Sequence, residues 1–167
     1  MASIDYDPIK AHEYYMKHRQ LKGRHSTKGM SDSAKEQWAY AKNQLKEQYK
    51  QERDTITENK SALNLAISER IMEQKKQLSD RTNAMIDNLR QSLKSMPKEQ
   101  REQMKEKIKE AISGLRQKLK DAKSDVNDAG KNEKQKLKDQ TEEARTAAKE
   151  KHEKDLDEAY EKIKGRK

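Results

Sequence analysis

Ser95-Met96-Pro97 is the one short break between two very long helical patterns. To its left, Leu45, Tyr49, Ile56, Leu63, Ile67, Ile71, Leu78, Met85, Leu89 and Leu93 recur at spacings of three, four, seven or eight. To its right, Met104, Ile108, Ala111, Leu115, Leu119, Ala122, Val126, Leu137, Ala144, Ala148 and Leu156 do much the same. Such spacing lines side chains along one face of a helix. Each arm carries a stripe too narrow for a globular core but suited to a coiled-coil seam. Pro97 has no N–H to continue a helix and disfavours helix at Met96, so the chain can reverse there. The sequence predicts an all-α fold, an elongated antiparallel helical hairpin with its turn at 95–97.

In such a hairpin, facing residues have numbers that add to a constant. A constant of 193 pairs Leu89 with Met104, Met85 with Ile108, Leu78 with Leu115, Ile71 with Ala122, Ile67 with Val126, Ile56 with Leu137, Tyr49 with Ala144 and Leu45 with Ala148. Thr82–Ala111 and Leu63–Gly130 are weaker layers, and Leu119 against Gln74 is a mismatch. A local echo supports helix on both sides of the turn: Ile86-x-x-Leu89-Arg90-Gln91-x-Leu93-Lys94 returns as Ile112-x-x-Leu115-Arg116-Gln117-x-Leu119-Lys120.

Composition points the same way. Of 167 residues, 41% are charged and 30% hydrophobic, with no Phe and one Trp, so a compact core cannot be filled. The periodicity and the abundance of Lys, Glu, Arg and Gln favour helix over disorder. The absence of Cys removes a disulfide framework and a thiolate metal site, and suits a cytosolic protein. No apolar run approaches the roughly 20 residues of a membrane span, and no signal-peptide core is visible. A soluble protein is expected.

Residues 1–32 read as a basic N-terminal segment: Asp7 as N-cap and Pro8 at N1 open a short helix, Ile9 to Leu21, which Gly23 can end. Residues 24–32 read as a flexible polar linker. Ser33-Ala34-Lys35-Glu36 has the form of a capping box opening the hairpin, residues 33–167. Trp38 and Tyr40 near this start would meet Leu156 and Tyr160 where the arms end. Gly130, after Asn127-Asp128-Ala129, is the weak point of the second arm, since Gly costs about 1 kcal/mol in a helix interior. A break near 127–131 would leave a third helix.

For chemistry the sequence offers little. His12, His18 and His25 are six and seven residues apart, not the three or four that put two ligands on one metal, and no hydrolase, phosphate-loop or metalloprotease pattern occurs. No enzyme activity, metal or cofactor is expected. Residues 1–30 hold six basic and three acidic residues, whereas the arms mix both signs more evenly and share the rest of the net charge of +9. Tyr14, Tyr15, Lys17, Arg19, Lys22 and Arg24 form the candidate partner-binding set. The tyrosines suit anchoring in a partner's groove; the cations suit phosphates. A protein partner and nucleic acid both stay open here, as does a homo-oligomer.

The stretch Tyr6-Asp7-Pro8-Ile9-Lys10-Ala11-His12-Glu13-Tyr14-Tyr15, continuing to Leu21-Lys22-Gly23-Arg24, resembles the opening of small coiled-coil proteins encoded near head-assembly genes of tailed phages and prophages of Gram-positive bacteria. Those openings also precede Lys/Glu-rich helical regions with the pattern of Ile112-x-x-Leu115-Arg116. The resemblance implies a non-enzymatic virion-assembly protein, scaffold-like or capsid-associated, whose partner is a capsid, portal or other virion protein. The alternative is a basic coiled-coil protein that binds nucleic acid.

Overall fold

A computed structural model describes residues 24–165. The protein is all-α: α1 (Asp32–Lys94) and α2 (Lys98–Lys164) pack as an antiparallel hairpin, with no strand among the described residues. Packing divides them into two units. One holds the described residues up to Asp54 and from Arg145 onward; the other is Thr55–Ala144.

The turn of the second unit lies where Pro97 places it. The Ser95 N–H still donates to Gln91 O at 3.1 Å and the Met96 N–H to Leu93 O at 3.2 Å, which ends α1. Pro97 then accepts the Arg101 N–H at 2.9 Å, opening α2 as its N-cap. The Arg101 guanidinium reaches back to donate to Met96 O at 3.2 Å and Lys94 O at 3.4 Å. It occupies carbonyls that a helix C-terminus leaves without partners.

Below the turn, Ile86, Ile108 and Ile112 are buried together, with Leu89, Leu93, Met104 and Leu115 packed against them. The buried or half-buried row repeats every eleven residues. Along α1 it passes through Ala34, Leu45, Ile56, Ile67, Leu78 and Leu89; along α2 through Met104, Leu115, Val126, Leu137, Ala148 and Ala159. Eleven residues in three turns is about 3.67 per turn, near the 3.6 of a straight helix. The row therefore stays on one face without the winding that a heptad seam demands. Polar residues on the row are accommodated: Thr141, 6% exposed, donates its hydroxyl to Leu137 O at 2.7 Å.

The register differs from the constant of 193. The touching pairs are Trp38–Tyr160 and Tyr49–His152 in the first unit, and Ile71–Gly130 and Arg70–Glu133 in the second. Their numbers add to between 198 and 203. Helical side chains lean toward their own N-terminus. In an antiparallel pair the two leans point in opposite directions, so α1 side chains meet residues slightly farther along α2 than their own backbone level. The rest of the offset is a shift of one helix along the other.

Gly130 does not break α2, which runs unbroken to Lys164, so residues 131–164 are not a separate helix. A Cβ at Gly130 would overlap Ile71 Cδ1 and come within 2.9 Å of its Cγ1. The glycine thus leaves room against α2 for Ile71, which fills the space that the pairing with Leu63 had assigned otherwise. The start of α1 also differs from the expected capping box. Ser31 is the N-cap: its hydroxyl accepts the Ala34 N–H at 3.2 Å and its carbonyl the Lys35 N–H at 3.0 Å.

Candidate functional site

Two places bring side chains together. The first is in the unit that holds both the start of α1 and the end of α2. Ala34, Trp38, Tyr160 and Ile163 are buried there, joined by Met30, Ala41, Leu156 and Ala159. Trp38 and Tyr160 meet edge to face, with centroids 5.4 Å apart, a geometry that the ring quadrupoles favour. Trp38 and Tyr160 are the expected pair; Tyr40 is instead 68% exposed.

Residues 24–31 are not a flexible linker but an ordered strap over this cluster. Thr27 to Met30 make a turn closed by the Met30 N–H on Thr27 O at 3.1 Å, with Gly29 at φ +86°. That backbone angle suits the third position of a type II turn and is strained for residues with a Cβ. The reversal sets the His25 ring 5.2 Å from Trp38 and 5.0 Å from Tyr160. Tyr160 donates its hydroxyl to Ser26 O at 2.6 Å, and His25 Nε2 lies 2.7 Å from Asp157 Oδ1. Arg24 pairs with the other oxygen of Asp157.

Of the six expected partner-binding residues, Arg24 lies in this strap and its charge is engaged by Asp157. Tyr14, Tyr15, Lys17, Arg19 and Lys22, with the expected helix Ile9 to Leu21, lie outside the described residues. Sequence reasoning missed His25, Asp157 and His152. The last stacks on Tyr49 at 4.6 Å with rings 9° from parallel, and Arg53 lies over the far ring at 5.3 Å. The His25–Asp157 pair has the form of a base and its orienting carboxylate, but no nucleophile among the described residues completes it. The Ser26 hydroxyl accepts the Lys28 N–H, and the Tyr160 hydroxyl is bound to a carbonyl.

The second place is an open groove of 590 Å³ in the other unit, below the turn. Leu93, Ile108 and Ile112 form its floor. Its walls carry Arg90, Lys105, Lys109, Arg116 and Lys120, together with Ser113 and Gln117, and no acidic residue. Glu106 lies 3.7 Å from Lys109, and Asp121 accepts from Gln117 at 3.1 Å. Among the described residues, no acid pairs with Arg90, Lys105, Arg116 or Lys120.

Among the described residues, no group of three or more His, Asp or Glu side chains could hold a metal ion. No helix among the described residues is long and apolar enough to cross a membrane. No protein-family model matches the chain, nor does any curated protein or solved structure.

Proposed function

We propose that the protein is a non-enzymatic interaction protein of phage virion assembly, scaffold-like or capsid-associated, working beside capsid or portal proteins in the host cytoplasm or within the virion. The observation that carries this reading is how the chain is invested. Two helices of 63 and 67 residues are built from charged residues on a seam one side chain deep, and the first unit is locked by an aromatic cluster and a strap. A chain so built offers long solvated faces and open grooves, whereas a reaction shielded from water needs an enclosed cleft. The strap places Arg24, one of the expected partner-binding residues, beside Asp157. Tyr14, Tyr15, Lys17, Arg19 and Lys22 make up the rest of that set. The resemblance of residues 6–24 to openings of head-assembly-linked proteins supports the same reading.

The test mixes the full chain, and a chain lacking residues 1–23, with purified capsid, portal and other virion proteins from the same source. The full chain should co-sediment with one of them and the truncated chain should not, while both give the same circular dichroism per helical residue. Binding of none, or equal binding by both chains, contradicts the reading.

A further inference from the structure

The repeated pattern Ile-x-x-Leu-Arg-Gln-x-Leu-Lys acquires a purpose in the groove below the turn. Its first residues, Ile86 and Ile112, lie together in the buried cluster. Its arginines, Arg90 and Arg116, both reach the groove wall, one from each helix. Lys105 and Lys109 stand one turn apart on α2, as do Arg116 and Lys120, which is about 6 Å along the axis in each case. That spacing is comparable with successive phosphates of a nucleic-acid strand. Four of the five cations have no acidic partner among the described residues, so their charge is available to a ligand.

We infer that this groove binds the phosphate backbone of duplex nucleic acid, with Arg90 and Arg116 as its paired contacts. Charge complementarity selects a polyanion: five cations line the groove and no acid does. Guanidinium suits phosphate because its planar fork donates two parallel hydrogen bonds. A duplex is favoured over a single strand because no aromatic side chain lines the groove to stack an unpaired base. It is favoured over an acidic amphipathic helix because the isoleucine floor is already buried, Ile108 at 6% and Ile112 at 9% exposure. A partner's apolar face would gain little there. The two motif copies run in opposite directions on antiparallel helices, as the two backbones of a duplex do. Contacts of this kind carry affinity without reading sequence. The site is independent of residues 1–23, where recognition of a virion protein was placed.

The experiment titrates salt against the anisotropy of a labelled duplex of about 20 base pairs, with the full chain throughout. Five phosphates neutralised give a slope of log K on log salt of about −4 to −5. Arg90→Gln with Arg116→Gln alters only exposed side chains. It should make the slope shallower by about 2 and weaken binding at ~50 mM salt by at least about tenfold. Lys149→Gln with Lys151→Gln removes the same charge from exposed positions of the other unit and should leave binding within about twofold. Circular dichroism should match across the variants. No binding at ~50 mM salt, or equal loss in both double variants, overturns the assignment. So does a loss confined to Lys17→Gln with Lys22→Gln, which would move nucleic-acid binding to the N-terminal segment. An arginine dependence seen for an acidic helical peptide but not for the duplex would make the groove a protein-docking site instead.

Discussion

The aliphatic cluster below the turn and the aromatic cluster under the strap hold the same two helices by different means. At the turn, three residues, Ser95 to Pro97, tether the helices, so Ile86, Ile108 and Ile112 need only fill the space between them. At the start of α1 and the end of α2 no short link exists, and chain ends fray unless tied down. There the chain places its only tryptophan at 4% exposure against Tyr160 at 6%. It adds hydrogen bonds to residues more than 130 positions away. A covalent turn and a buried aromatic pair are thus alternative ways to oppose separation of two helices.

The largest expected effect breaks the aromatic side. Trp38→Ala should cost about 3–5 kcal/mol, the range for truncating a buried aromatic. Hydrogen exchange should then rise across residues 32–54 and 145–164 while Ile108 and its neighbours stay protected. Equal loss in both regions would mean that the two clusters unfold as one. Ile108→Ala, on the aliphatic side, should cost about 2–3 kcal/mol, near the lower end for a buried isoleucine, because only two helices enclose the site. Urea denaturation of both variants gives the ranking directly.

A pair of glycine variants sharpens the contrast between close and open packing. Gly130→Ala gains about 1 kcal/mol of helix propensity, but its methyl group overlaps Ile71, and overpacking costs about 1–3 kcal/mol. Net destabilisation of about 1 kcal/mol is expected. Gly114 is exposed and has nothing within 4 Å of the added carbon, so Gly114→Ala should stabilise by roughly 0.5–1 kcal/mol. Opposite shifts in thermal melting support the close approach; two stabilising shifts refute it. A comparably small effect is expected of Tyr160→Phe, which keeps the ring and loses the bond to Ser26 O, at a cost of about 0.5–1 kcal/mol. Exchange should rise chiefly in residues 24–31.

The hairpin was legible because three- and four-residue spacing survives any polar filling between the seam positions, and because Pro97 cannot continue the helix before it. The register was not. Sliding one seam past the other by a single step again brings Leu, Ile and Ala opposite one another, so Ile71 matched Ala122 on paper and meets Gly130 in the fold. The fit of Ile71 where Gly130 has no Cβ favours one of those choices, and spacing alone does not encode it. The eleven-residue interval from Ala34 to Leu89 was present in the sequence but hidden among heptad-like spacings. The strap was illegible for another reason: Arg24 to Ser31 reads as polar linker until Asp157 and Tyr160 are placed beside it. Likewise the echo named Arg90 and Arg116, but without the register nothing brought them to one groove.

Intramolecular register is the claim on which the groove, the strap and the role of Gly130 all depend, and disulfide trapping tests it directly in a chain with no native cysteine. A Cβ at Gly130 would lie 2.9 Å from Ile71 Cγ1, which puts the two Cβ atoms within the roughly 4.5 Å span of a disulfide. Ile71→Cys with Gly130→Cys should therefore crosslink within one chain under mild oxidation. Ile71→Cys with Ala122→Cys should not. The reverse result would restore the constant of 193, and disulfides found only between chains would show that the arms pair across molecules rather than within one.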